Sequence, residues 1–151
     1  MDRDVVEQKL ESLRRCLRRM ETKCPADAAT LVADIDLQDI VSLNLTRAVQ
    51  ISVDIGAHLI AGMEVPPPGT MGQTFDLLAQ AGVLNVELAS NLKKAVGFRN
   101  IAIHNYENIN WGIVHSIVKC HLVDFSEFAK VVAMRLAATG SETRSNPEAP
   151  A

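Results

Sequence analysis

From Asp2 to about Lys23, apolar residues recur at Val6, Leu10, Leu13, Leu17 and Met20. This 4-3-4-3 spacing predicts an amphipathic helix. Its wet face carries Arg14, Arg15, Arg18 and Arg19, and Pro25 ends it. A short helix is expected from Asp27 to about Asp34, capped by Asp27 or by the Pro25 turn. A long helix then starts near Asp36 and continues to about Gly62, spanning roughly 39 Å at 1.5 Å rise per residue. It is apolar on most sides (Ile40, Val41, Leu45, Val49, Ile55, Leu59), as a central buried helix should be. Met63 to Gly69 holds Pro66-Pro67-Pro68 and reads as a rigid loop. A helix from about Met71 to Ala81 is closed by Gly82, and Asn85 caps the next, which passes through Leu88, Leu92, Ala95 and Val96. Trp111 to about Ala138 forms the last helix, with Val114, Ile117, Val118, His121, Leu122, Phe125 and Phe128 on its core side. The pattern predicts one all-α domain over residues 1–138, an up-and-down bundle of five to six helices. Residues 139–151, rich in Ser, Pro and Glu, read as a disordered tail.

At 151 residues such a domain buries about two-thirds of its unfolded surface. Aromatic residues make up only 4%, so Ala, Leu, Val and Ile build the core. That leaves few platforms for stacking bases and disfavours a recognition-type RNA module. The net charge of −3 disfavours a generic nucleic-acid coat, so any nucleic-acid contact must be local. Seven of the fifteen basic residues precede Pro25; they read best as a solvated helix face, with a shelf for RNA phosphates as the alternative. Cys16, Cys24 and Cys120 form no CxxC, and a disulfide framework is not expected. The N-terminus is charged from Asp2 onward, and no apolar run approaches a membrane span, so a soluble, cytoplasmic protein is expected. Neither a phosphate loop nor a Gly-rich fingerprint is present, and His115, Cys120 and His121 give no metal-ligand spacing. No metal or cofactor is expected.

Two polar features interrupt this apolar plan. On the long helix, Asn44, Arg47, Asp54 and His58 share one arc of about 80°. Polar groups on a buried helix must be paired, or must face a cleft or a partner. Either a core network, with Asp54 bonding Arg47 or His58, or the floor of an active-site cleft would satisfy that demand. The second feature is Arg99-Asn100-Ile101-Ala102-Ile103-His104-Asn105-Tyr106, which gathers a guanidinium, an amide, an imidazole and the chain's one phenol. Lys93 and Lys94 lead into it, and no acidic residue falls between Leu88 and Tyr106. Taken alone, an Arg and a His snorkelling from a helix end would account for so short a pattern. On a straight helix Arg99 and His104 lie about 140° apart. They converge only if the helix ends or bends near Ile103, or if a second subunit completes the site. Asn105, Asn108 and Asn110 are poor helix interiors and favour an end there.

Arg99-Asn100-x-x-x-His104-x-Tyr106, on the penultimate long helix of a small all-α chain, resembles the Arg-x4-His-x-Tyr signature of HepT-like HEPN toxins. The Asn44-Leu45-Thr46-Arg47-Ala48-x-Gln50 run and Asp54-x-x-x-His58 also resemble that family's central helix. The resemblance covers the whole domain and implies a HEPN-type bundle. It further implies a homodimeric, metal-independent endoribonuclease, the toxin half of a two-component module. Its partner would be a minimal nucleotidyltransferase antitoxin of the MntA type, which silences the toxin by adding AMP to the motif tyrosine, here Tyr106. A dimer would bring two copies of the motif to one cleft.

The residue chemistry suits that activity. RNA is cut without metal when its 2′-hydroxyl attacks the adjacent phosphorus, a reaction needing proton transfer and stabilisation of a crowded anion. His104 fits the acid–base role, Arg99 the clamp on non-bridging oxygens, and Asn100 the orientation of one of them. Tyr106, Lys93 and Lys94 are candidate phosphate contacts, with Asn44, Arg47, Asp54 and His58 as supporting cleft. Two other classes stay open: a non-catalytic partner that uses the same cleft to bind nucleotide or present substrate to its nucleotidyltransferase, and a structural helical dimer, in which the motif would be incidental.

Overall fold

Local signals start and stop each helix. The computed structural model describes residues 2–145, with side-chain surroundings to Thr139. Helix α1 spans Arg3–Lys23, α2 Ala28–Ala33, α3 Ile35–Ala61, α4 Met71–Gln80, α5 Val86–His104 and α6 Trp111–Ser145, with one 3₁₀ turn at Tyr106–Asn108. Side-chain oxygens of Asp2, Asp27, Asp34, Thr70, Asn85 and Asn110 accept from the first free backbone N–H groups of α1 to α6 in turn. Asp27 accepts from Thr30 N at 2.7 Å, and this bond holds its carboxyl below the ordinary range. Helix α4 closes in a Schellman motif: Gly82 N–H donates to Ala79 O and Val83 N–H to Leu78 O. The motif needs a left-handed residue, and Gly82 supplies it at φ +77°.

Helix α3 is the axis of the bundle and touches all five other α-helices. Its buried face (Val41, Leu45, Ala48, Val49, Ile55, Leu59) meets Val6, Leu10, Leu13, Leu17 and Met20 of α1 in one continuous core. The α1 residues are those whose spacing announced the helix. On the other side α4 comes close enough to α3 that a Cβ at Gly56 would stand 2.5 Å from Thr74 Cγ2. Phe75 and Phe128 meet edge to face at 6.0 Å, joining α4 to α6. His115 Nε2 donates to Pro25 O at 2.9 Å and fastens α6 to the α1–α2 turn.

The six predicted helices are present with ends shifted by a residue or two, except at the C-terminus. There α6 runs on to Ser145, past the boundary expected at Ala138. Ala137 and Ala138 favour helix, and the Thr139 hydroxyl bonds back to Arg135 O at 2.9 Å, which keeps a polar residue within the helix. The rest of the expected tail, 146–151, lies outside the described residues. Among the described residues, no helix is long and apolar enough to cross a membrane.

Candidate active site

Helix α5 delivers the motif at its C-terminal end. It stays helical through both Arg99 and His104, and Asn105 (φ −153°, ψ 52°) ends it. The two side chains therefore leave the helix about 140° apart within one subunit. His104 is exposed. Arg99 is half-buried: its Nη1 donates to Asn100 Oδ1 at 3.4 Å, an exposed contact. Its Nε is sealed from water without an acceptor, the one such side-chain nitrogen or oxygen among the described residues. A buried donor without a partner costs free energy until an oxygen meets it.

Past the helix end, the 3₁₀ turn folds Tyr106 back onto the start of α3. Its hydroxyl donates to Asp39 Oδ1 at 2.8 Å. Its ring meets Trp111 edge-on at 5.9 Å, yet the residue is still 43% exposed. Burial first, and the Asp39 carboxylate second, hold the phenol above its ordinary pKa, while the Ser42 hydroxyl acts in the opposite sense. Asp39 and Ser42 are absent from the sequence reading. Nothing local marks them, because the Tyr106 contact joins positions 67 apart.

The other candidates are dispersed. Lys93 is paired with Asp76 of α4 at 2.8 Å, so its charge is already answered. Lys94 faces α6 and lines a cavity of about 160 Å³ with Asn91, Ala95, His121 and Asp124. There Asp124 accepts from Asn91 Nδ2 at 3.3 Å and meets His121 Nδ1 at 3.1 Å.

The α3 stripe turns towards α1. Asp54 bonds neither Arg47 nor His58, as the core-network reading expected. It accepts from Gln50 Nε2 at 2.9 Å and pairs with Lys9 Nζ at 3.4 Å. The correction has a simple cause: Gln50 stands one turn before Asp54 on the same face, and α1 brings a cation over both. Asn44 Nδ2 donates to Ile40 O at 2.8 Å on its own helix. Arg47 is exposed and His58 half-exposed. At 100° per residue, Asp39 stands about 100° round α3 from the middle of the stripe. Tyr106 and the stripe thus meet different faces of one helix. No group of three or more His, Cys, Asp or Glu among the described residues is placed to hold a metal ion.

Residues 7–132 match the family described as "Ribonuclease HepT-like". The chain belongs to that family. It is 36% identical over 129 residues to the mRNA nuclease HepT of Shewanella oneidensis, covering 85% of this chain and 96% of that one. A solved structure of the tri-AMPylated Shewanella oneidensis HEPN toxin in complex with MNT antitoxin superposes with a TM-score of 0.82 at 36% identity, over 89% of this chain and 99% of that one. The cytosolic protein YutE of Bacillus subtilis, of unknown function, shares the fold at a TM-score of 0.80 and 19% identity, over 92% and 93% of the two chains. The HEPN-type bundle implied by the signature is therefore the fold of this HepT-like chain.

Proposed function

We propose that this HepT-like chain is a metal-independent endoribonuclease toxin, cytoplasmic, active as a homodimer and silenced by adenylylation of Tyr106. The observation that carries the catalytic part is the sealed, unanswered Nε of Arg99 on the same helix whose C-terminal end bears the exposed imidazole of His104. A guanidinium is a fork of fixed geometry that suits two phosphate oxygens at once, and Arg99 Nη1 is engaged here only by an exposed 3.4 Å contact with Asn100. In the reaction, an RNA 2′-oxygen bonds to the adjacent phosphorus and the bond to the 5′-oxygen breaks. His104 carries a proton to or from these oxygens. Arg99 and Asn100 stabilise the non-bridging oxygens.

The angle between Arg99 and His104 supports the dimer. One subunit points them apart, so Arg99 of one copy and His104 of the other form the paired acid–base and anion site. Ile101 and Ile103, between them in sequence, are 47% and 48% exposed, apolar surface that a second copy would cover. The relative solved with its MNT antitoxin is AMPylated. We extend both properties here, with a nucleotidyltransferase as partner and Tyr106 as acceptor. AMP on that phenol would place negative charge and bulk where substrate phosphate must sit. Of the polar stripe on α3, Asp54 acts in this scheme through its contact with Lys9 of α1, part of the packing that holds α3 in place.

The test is RNA cleavage by the unmodified protein in excess EDTA, beside Arg99→Ala and His104→Ala. Cleavage that leaves cyclic-phosphate ends and is lost in both variants is the expected result. No cleavage by protein of unmodified mass would overturn it in favour of a nucleotide-binding partner. So would ends that carry only 5′-phosphate and 3′-hydroxyl.

A further inference from the structure

A phenol has one proton and gives one hydrogen bond. Tyr106 gives it to Asp39, at 2.8 Å and across 67 positions of sequence. What it turns to solvent is therefore lone-pair density. That arrangement is poor for gripping a phosphate oxygen, which needs a donor, and well suited to attacking an electrophilic phosphorus. The ring is held by Trp111 at 5.9 Å with the planes 68° apart, so the oxygen has a fixed position. Asp39 is exposed, so a proton it accepts passes directly to water. His104 and Glu107 flank Tyr106 in sequence and Trp111 is uncharged; Asp39 on α3 is the ionisable group bonded to the phenol.

We propose that Asp39 is the proton acceptor for adenylylation of Tyr106, so that the modified chain carries the base for its own modification. The inference rests on the assignment of Tyr106 as AMP acceptor made above. Tyr106 Oη forms a bond to the α-phosphorus. The bond from that phosphorus to the oxygen bridging to the β-phosphate breaks, and pyrophosphate leaves with the electron pair. The phenolic proton moves to Asp39 Oδ1 as the new bond forms.

The experiment incubates the full chain with an MntA-type nucleotidyltransferase and ATP and follows intact mass and the modified peptide. The parent gains AMP on Tyr106. Asp39→Asn keeps an oxygen to receive the phenol's hydrogen bond and cannot take the proton; its initial rate falls about 100-fold or more near neutral pH. That rate then climbs about tenfold per pH unit, because phenolate supply limits it, while the parent changes little. Asp39→Ala regains rate when formate is added. A rate and pH profile for Asp39→Asn equal to the parent's would overturn the role of Asp39 and leave Tyr106 as acceptor. AMP appearing on another residue, or on none, would overturn both.

Discussion

Helix α3 is polar along two of its faces, and the two have opposite fates. Towards α1, each group on the Asn44–Asp54 stretch that is withdrawn from water is answered locally. Asn44 bonds its own helix, and Asp54 is shared by Gln50 and Lys9. Towards the end of α5, Asp39 receives a phenol that stays 43% exposed, and the neighbouring guanidinium keeps a sealed N–H with no acceptor. Buried polar groups that are fully paired hold helices in register; those left unspent are held ready for something else. The contrast separates the scaffold from the site on one helix, where burial alone would not.

The widest separation between the two regions should come from catalysis. His104→Ala, at an exposed position, should lower RNA cleavage by about 10²- to 10⁴-fold with little change in melting temperature. Arg99→Ala should match it in cleavage, since it removes the charge that meets the developing anion. Initial rates in EDTA alongside a thermal melt check both. A parallel loss of rate and melting temperature would place the two residues with the scaffold.

The reverse dissociation is expected from the α1–α3 core. Leu45 is fully buried on α3, and Leu45→Ala should destabilise the fold by about 2–5 kcal/mol. Below its melting transition the variant should cleave RNA at the parental rate per folded molecule. Urea unfolding with rates measured on the same sample decides it.

How much of this was legible beforehand follows the same division. The helices were readable because their ends are written in single residues: Asp27 and Asn85 as caps, Pro25 and Gly82 as stops. The Arg99–Tyr106 cluster stood out because it holds one of the chain's four His and its one Tyr. Pairing across the bundle was not readable. Lys9 meets Asp54 from 45 positions away and Asp39 meets Tyr106 from 67, and no local pattern encodes which faces come together. Helix propensity at Ala137 and Ala138 also carried α6 beyond the place where composition suggested an end.

A smaller effect probes the paired face. The Lys9–Asp54 contact is 3.4 Å long with side chains 31% and 39% exposed. Partial solvation limits such a pair to about 0–1 kcal/mol. Lys9→Met should therefore shift the melting temperature by a few degrees at most and leave cleavage unchanged. A tenfold fall in cleavage would make the stripe part of the site after all and erase the contrast.

The smallest effect concerns the cysteines on the scaffold side. Burial pushes the thiols of Cys16 and Cys24 above the ordinary 9.0; nearby Arg47 and Arg15 oppose the shift at Cys16, and Lys119 opposes it at Cys24. A thiol that holds its proton more tightly in the folded state adds stability that is complete below its unfolded pKa. That increment is lost as pH rises above 9.0 towards the folded value. Stability should thus decline slightly on the alkaline side, and Cys16→Ser should flatten the part due to Cys16 while lowering stability throughout. At neutral pH a thiol reagent should label exposed Cys120 first, with Cys16 and Cys24 reacting only on unfolding. Equal labelling of all three in the folded protein would show that the α1 side of the bundle opens readily.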